Sequence, residues 1–171
     1  MANAFYVLNA TRRLGLGIDV AGLFVSAQVT GSLMSGILMG TVQDHLGPLV
    51  HMRVVGICAT LPSLLALGTE WLPGLSGHVV LYPYLLIYFF LGLSMASLGW
   101  PFFNWIMEYT EETRRPLYIG VSNTLVALTM LAPALGGWIV STFSYSAVFL
   151  LSFTFALMAL ITSRRMPSTR G

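Results

Sequence analysis

The chain has 171 residues, of which 56% are hydrophobic and only 8% charged, and its mean hydropathy is +0.80. Soluble domains carry about 25% charged residues, so this composition excludes an ordinary soluble domain and predicts that a lipid bilayer surrounds the protein. The net charge is only +2, and the arginines stand in scattered pairs rather than in the basic patch typical of nucleic-acid binding. The single cysteine, Cys58, lies inside an apolar run and indicates neither a disulfide nor a metal site. We therefore expect no metal, no cofactor and no nucleic-acid partner.

Five apolar runs are long enough to cross a bilayer, for which a helix needs about 20 residues. We predict an all-α integral membrane protein with a single transmembrane domain over residues 1–171. Its helices are expected at residues 20–42, 50–67, 79–107, 117–142 and 146–162. Ahead of them, residues 4–8 are too short to cross, so residues 1–19 are interpreted as the end of a truncated helix and an outer loop. Residues 163–171 are polar and are expected to form a loose tail.

The segments that connect these runs divide the arginines unequally between the two sides of the membrane. Arg12 and Arg13 fall on one side, and six fall on the other: Arg53, Arg114, Arg115, Arg164, Arg165 and Arg170. The positive-inside rule then predicts a cytoplasmic C-terminus in a plasma or inner membrane. Five spans place the N-terminus outside, an arrangement that is natural for a piece of a longer protein.

Only a few polar or amphipathic side chains lie deep within the predicted spans. The candidates for a solute cavity are Gln28, Trp100, Asn104 and Asn123. For each of them helix packing is the alternative role, because a polar group in hydrocarbon needs a partner helix or water. Gln28 also begins a row of residues at four-residue steps, a spacing that lets two helix backbones approach closely: Gln28, Ser32, Gly36 and Gly40. No acid, lysine or histidine is expected near the middle of a full span.

The polar stretch between the first two runs carries a spaced pattern. Gly40, Asp44 and Gly47 follow one another at spacings of four and three, and Arg53 comes after a short gap. This pattern resembles the loop signature of the major facilitator superfamily of secondary transporters, Gly-x-x-x-Asp-Arg-x-Gly-Arg-Lys/Arg. It departs from the signature at three basic positions, which are occupied here by His45, Pro48 and Leu49.

A second stretch, residues 108–138, carries the best part of the resemblance. A Glu-rich loop leads into Arg-Arg-Pro-Leu-Tyr-Ile-Gly-Val-Ser-Asn-Thr and then Pro-Ala-Leu-Gly-Gly-Trp. With the order of the runs, this is similar to the C-terminal half of a major facilitator transporter, a fold of two six-helix halves. The resemblance covers nearly the whole chain. It implies that the five spans correspond to helices 8–12, and that the chain is part of a permease moving a small solute by alternating access. It also implies a missing N-terminal half, in the same or a separate chain.

The resemblance further implies roles for the polar residues at the predicted cytoplasmic side. The equivalent of Asp44 caps the helix entered at Leu117, where the helix dipole stabilises an acid by roughly 0.3–1 kcal/mol. It belongs to a conformational loop with Gly40 and Gly47. Its partners in a charge cluster that locks this side in one state would be Arg53, Glu108, Arg114 and Arg115. The alternative is an ordinary solvated loop.

Two other functional classes compete with a transporter half. A membrane-embedded enzyme has no support, because the sequence contains no Gly-x-Ser-x-Gly, no His-Glu-x-x-His and no phosphate loop. His45, His51 and Asp44 are expected on the short first loop, with the wrong spacing for a helical metal-binding pair. A small five-helix membrane protein that acts as a partner or assembly factor, without transport activity, is the remaining alternative. Stoichiometric co-purification with another membrane protein would favour it.

Overall fold

The computed structural model describes residues 2–12, 14–71 and 78–169, with the side chains of Ile18, Trp71 and His78 excepted. Within these ranges the chain forms helices joined by turns and short connections. Two 3₁₀ turns, Ile18–Val20 and Glu112–Arg114, precede the second and the sixth helix. The α-helices of the described residues are α1 (Asn3–Arg12), α2 (Ala21–Leu46), α3 (Pro48–Trp71), α4 (His78–Met95), α5 (Trp100–Tyr109), α6 (Arg115–Thr129), α7 (Ala132–Thr142) and α8 (Tyr145–Arg164).

Five segments of the described chain are long and apolar enough to cross a membrane, which confirms the predicted all-α membrane fold. They are Ala21–Leu46, Pro48–Glu70, Val79–Tyr109, Glu112–Thr142 and Tyr145–Ser163. Each contains most of one predicted run, because a run of about 20 apolar residues matches the thickness of the hydrocarbon core. The third and fourth segments, however, each contain two helices.

The connection between α2 and α3 is much shorter than the predicted loop at residues 43–49. The helix α2 continues to Leu46, because nothing after Val42 breaks it. It ends at Gly47, whose φ of 82° is easy only for glycine and whose N–H donates to the Gln43 carbonyl. Pro48 then begins α3, at a position where its missing N–H costs nothing. Asp44 therefore lies in a helix and not on a loop.

Breaks that are each followed by a proline divide the third and fourth spans, so each span consists of two helices instead of the single one predicted. Pro101 lies in the first turn of α5, directly after the break at residues 96–99. In this break the N–H groups of Ser97 and Leu98 bond to carbonyls three residues back. Pro133 lies likewise in the first turn of α7, after the break at residues 130–131. A proline ring lacks an N–H and crowds the preceding turn, which favours a helix start at these points.

The helices α2 and α4 pack closely through glycines. A Cβ atom added at Gly31 would overlap the carbonyl oxygen of Phe89, and one added at Gly92 would overlap that of Gln28. Ser32 reaches across the same contact, because its Oγ donates to the Gly92 carbonyl at 3.2 Å. Small residues thus bring the two backbones together, as is usual for helices that associate in lipid.

The short helix α1 is anchored against α3, α4 and α8 by buried aromatic and polar groups. Its Tyr6 ring stacks on Phe149 with the centroids 5.0 Å apart, and its hydroxyl lies 2.9 Å from Ser63 Oγ. One turn later, Asn9 Nδ2 donates to the Tyr84 hydroxyl at 2.8 Å. Since Asn9 and Tyr84 are both fully buried, their bond satisfies the Asn9 Nδ2 donor, which has no access to water.

The fourth span lies at the periphery of this bundle. Its contacts are mainly those of α6 with α5 and of α7 with α8. Large apolar side chains remain exposed along it, among them Leu128, Met130 and Leu131. The bundle core therefore consists of α1–α4 and α8, with α5 at one end and α6–α7 beside it.

Candidate functional site

A cleft of about 260 Å³ opens where the third span is broken. One wall is the second half of α2, from Ser35 to Gln43, and the other is the break and first turns of α5, from Ala96 to Asn104. His51 at the start of α3 also lines it. Among the described residues that line this cleft there is no aspartate, glutamate, lysine or arginine. The described lining therefore combines polar and apolar groups and carries no fixed charge of these types.

Two of the four predicted cavity residues line this cleft. Trp100 is the first residue of α5 and is 67% exposed, and Asn104 follows one helical turn later on the same face. Gln28 lies two turns before Ser35 on α2, half-buried, with its carbonyl at the contact with α4. Asn123 is exposed on α6, away from this cleft. The structure thus brings Trp100 and Asn104 together and leaves the other two apart from them.

Two serine hydroxyls connect the walls of the cleft. Ser35 Oγ on α2 lies 2.7 Å from Ser97 Oγ in the break and 2.8 Å from the Leu93 carbonyl of α4. Both serines are buried. This pair holds the broken segment against α2, so the ends of α4 and α5 have a defined position beside the cleft.

His51 is a residue of the cleft that was not expected there. It lies in the first turn of α3, is 4% exposed, and places Nδ1 2.8 Å from the Oε1 atom of Gln43. Its Nε2 atom is buried and has no hydrogen-bond partner in the described part of the chain. The signal that could have found it is the Gly47–Pro48 pair. A helix end followed at once by a helix start folds α3 back beside α2, which brings residue 51 next to residue 43.

The residues of the predicted conformational loop lie around the junction of α2 and α3. Gly40 lines the cleft, Asp44 is exposed in the last turn of α2, and Gly47 forms the turn itself. Arg53 is half-buried on α3, and its Nη2 lies 3.4 Å from the Ser163 carbonyl near the end of α8. Arg53 thus connects two helix ends through a backbone carbonyl.

Arg115 connects the end of α5 to the start of α6. Its guanidinium donates to the carbonyls of Met107 at 3.0 Å and Thr110 at 3.2 Å, and it lies 3.6 Å from a carboxylate oxygen of Glu112. Arg114 is exposed in the preceding 3₁₀ turn. The helix begins here and not at the predicted residue 117, because Pro116 in the first turn favours a helix start.

The segment that follows α8 packs against α5, although a loose tail was expected. The Nε1 atom of Trp105 donates to the Pro167 carbonyl at 3.1 Å, and Met166 packs on the same indole cluster. Thr169 donates to the Glu108 carboxylate at 2.6 Å. These contacts order residues 166–169 because the end of α5 offers both an apolar surface and an acceptor.

The cleft presents several hydrogen-bonding groups and one exposed aromatic ring. It offers an exposed indole, amide groups from two helices, a hydroxyl pair and an imidazole. In residues 2–12, 14–71 and 78–169 no three side chains of the types His, Cys, Asp and Glu gather where a metal ion could be held. Hydrogen bonding and contact with an aromatic face are what this arrangement can provide to a small molecule.

Comparison with known families decides the class of the protein. The family model described as Major Facilitator Superfamily matches residues 1–170. The chain belongs to the major facilitator superfamily. This confirms the resemblance seen in the two polar stretches, and with the five spans it identifies a multi-pass membrane protein of a transporter superfamily. No curated protein and no solved structure matches the chain significantly.

Between α2 and α3 this member of the major facilitator superfamily departs from the loop signature that it resembles. His45, Pro48 and Leu49 replace three basic residues. The turn nevertheless forms, because Gly47 adopts the positive φ and Pro48 begins the next helix.

Proposed function

We propose that this chain is part of a secondary active transporter that moves a small solute by alternating access. The observation that carries the proposal is the cleft at the break between α4 and α5. Sites in such transporters are typically formed by discontinuous membrane helices near the middle of the bilayer. Here Trp100 begins the second half-helix at that break, and Asn104 lies on the same face. A flat apolar ring and an amide are groups that would bind and orient a solute.

We further propose that a second helical bundle, in the same polypeptide or a separate one, covers α6 and α7. Asn123 and Gly120 are exposed on α6. An amide facing hydrocarbon is unfavourable, and a surface glycine lets another helix approach closely. Alternating access needs two bundles that rock against each other. Asn123 and the half-buried Gln28 would then lie along the pathway between this chain and its partner.

The charged residues at the ends of α2, α5 and α6 would form the lock on one conformational state. In this proposal the Asp44 carboxylate docks at the N-terminus of α6, where the helix dipole favours it. Exposed ion pairs contribute only about 0–1 kcal/mol each. A lock made from several such contacts can therefore open and close during transport. Its charged members would be Asp44, Arg53, Glu108, Arg114 and Arg115, and Gly40 and Gly47 would belong to the conformational segment that carries Asp44.

We also propose that these helix ends face the cytoplasm, in a plasma or inner membrane. Most arginines of the chain, including Arg53 and Arg115, belong to this end, and short loops rich in arginine are retained on the cytoplasmic side.

The proposal is tested by measuring water access to the cleft. In a Cys58→Ala background, Asn104→Cys should react with a membrane-impermeant maleimide in vesicles, whereas Leu150→Cys, exposed on α8, should be protected by lipid. Adding Asp44→Asn should change the labelling rate at Asn104→Cys several-fold without lowering the amount of protein in the membrane.

Equal labelling at the two positions, or no reaction at Asn104→Cys from either side, would contradict a water-filled cleft. An unchanged rate with Asp44→Asn would leave the cleft in place and disprove the lock.

A further inference from the structure

The proposed transporter site leaves one group without a role, and that group is His51. The ring is 4% exposed and lines the same cleft as Trp100 and Asn104. A buried polar atom without a partner is unusual, and within the described chain Nε2 of His51 is such an atom. Because His51 lines the cleft, a molecule bound there is the candidate partner of this atom.

The contact with Gln43 determines which hydrogen-bonding role Nε2 has. The atom of Gln43 that faces the ring is Oε1, a carbonyl oxygen that only accepts hydrogen bonds, at 2.8 Å from Nδ1. Nδ1 must then carry the proton. In the neutral ring Nε2 consequently presents a lone pair, so it is an acceptor that needs a donor.

The serine pair on the facing wall also presents an acceptor that needs a donor. Ser35 Oγ lies 2.8 Å from the Leu93 carbonyl, which only accepts, so the single hydroxyl proton of Ser35 is used there. The 2.7 Å contact between the two hydroxyls must therefore be donated by Ser97 to Ser35. Ser97 Oγ has then spent its proton and offers only lone pairs to the cleft that it lines.

Charge and shape restrict the ligand further. No acidic or basic side chain of the Asp, Glu, Lys or Arg type is among the described lining residues, so an ion would lose its hydration without gaining a counter-charge. The exposed ring of Trp100 offers an apolar face, and Asn104 offers both a donor and an acceptor.

We propose that the cleft binds a small uncharged solute rich in hydroxyl or N–H groups, with His51 Nε2 and Ser97 Oγ as the acceptors that select it. Gln43 acts as a positioning residue that fixes the tautomer of His51. That this molecule is the transported solute rests on the proposed transport function. Binding to the cleft can be measured on the chain by itself. This assignment names the solute class and adds His51 to the site.

The test measures binding of small molecules to the purified full chain in detergent. Binding is detected as a saturable change in tryptophan fluorescence. The probes are neutral hexoses, polyols and nucleosides, each compared with a carboxylate and an ammonium analogue, for example glucose with glucuronate and glucosamine. At least one neutral probe should bind roughly tenfold or more tightly than its charged analogues, because burying an unpaired charge costs at least that factor.

Variants then identify the acceptor. Asn in place of histidine keeps a donor toward Gln43 and removes Nε2, so His51→Asn should weaken binding roughly tenfold, the order expected when a ligand donor is left unpaired. His45→Asn, which alters an exposed histidine outside the cleft, should bind as the parent does. Ser97→Ala should weaken binding by a smaller factor and serves as the second variant if His51→Asn does not fold.

Three outcomes would overturn the inference: no saturable binding by any neutral probe, tighter binding of the charged analogues, or full binding by both His51→Asn and Ser97→Ala. If Asn104→Cys is accessible to water while no neutral probe binds, the solute class is wrong and the transporter proposal stands. If neutral probes bind but Asn104→Cys is never accessible, the site is a binding pocket and the transport proposal fails.

Discussion

The third and fourth membrane spans are equally long and similarly apolar, yet they are packed in opposite ways. In the most apolar 18-residue stretch of the third span, 44% is buried inside the structure, whereas in the corresponding stretch of the fourth span only 6% is buried. The third is held against α2 by Gly31 and Gly92, whose positions leave no room for a Cβ atom. The fourth carries Gly120 and Gly137 with nothing within 4 Å of an added Cβ. Hydropathy therefore indicates that a helix lies in the membrane. Which neighbour the helix packs against is indicated by the contacts around its small residues.

The largest effect is expected at the α2–α4 contact. Gly92→Ala should destabilise the purified chain by about 1–3 kcal/mol or more, because the new methyl group overlaps the Gln28 carbonyl and only a backbone shift can relieve it. Thermal unfolding in detergent measures the change. The matched control is Gly22→Ala on α2, where nothing lies within 4 Å of the added Cβ. If Gly92→Ala is as stable as this control, the α2–α4 contact is not tightly packed, and the third and fourth spans differ less in packing than their burial indicates.

A loss of stability of similar or smaller size is expected from a polar contact in the packed region. Tyr84→Phe should cost about 1–3 kcal/mol, because it removes the acceptor of the Asn9 amide, which is fully buried. Tyr82→Phe on the same helix is the control, since that side chain is 69% exposed and should change stability little.

A double-mutant cycle sharpens this prediction. Combining Tyr84→Phe with Asn9→Leu removes both partners, and the combined loss should be smaller than the sum of the single losses. Additive losses would mean that the two side chains do not interact in the folded chain, and α1 would then be held by its other contacts, such as those of Tyr6 with Ser63 and Phe149.

The membrane location, the number of spans and the family could be predicted from the sequence. Few charged residues and long apolar runs are what the hydrocarbon core of a bilayer requires of a chain that crosses it. The breaks within the spans could not. Pro101 and Pro133 lie at breaks, whereas Pro62 and Pro83 lie inside the continuous helices α3 and α4. In a membrane, neighbouring helices and adjusted turns can satisfy the carbonyls that a proline leaves free. A proline therefore does not decide by itself whether a helix is interrupted.

The cleft was predicted only in part, for a related reason. Trp100 and Asn104 could be named from residue type and depth, because both lie on one face of one helix. His51 could not, because its approach to Gln43 depends on where α2 ends and how sharply α3 turns back. Side-chain type and spacing describe single helices well. A site between helices also depends on turn geometry, which here rests on the single residue Gly47.

The smallest effect on stability is expected in the fourth span, which lies at the periphery. It tests whether this span is as loosely packed within the chain as its exposure indicates. Gly120→Leu should leave the purified chain as stable as the parent or stabilise it by about 0.5–1 kcal/mol, because the position is open and glycine is a poor helix former. The same variant should lower transport and association when the proposed partner bundle is present, since a large side chain blocks close approach of another helix. Leu125→Ala, a change of similar size at an exposed position of α6, controls for altered contact with lipid. A loss of stability in the chain alone would place Gly120 in an internal contact. Unaltered transport and association would mean that lipid, and not protein, covers this face of α6.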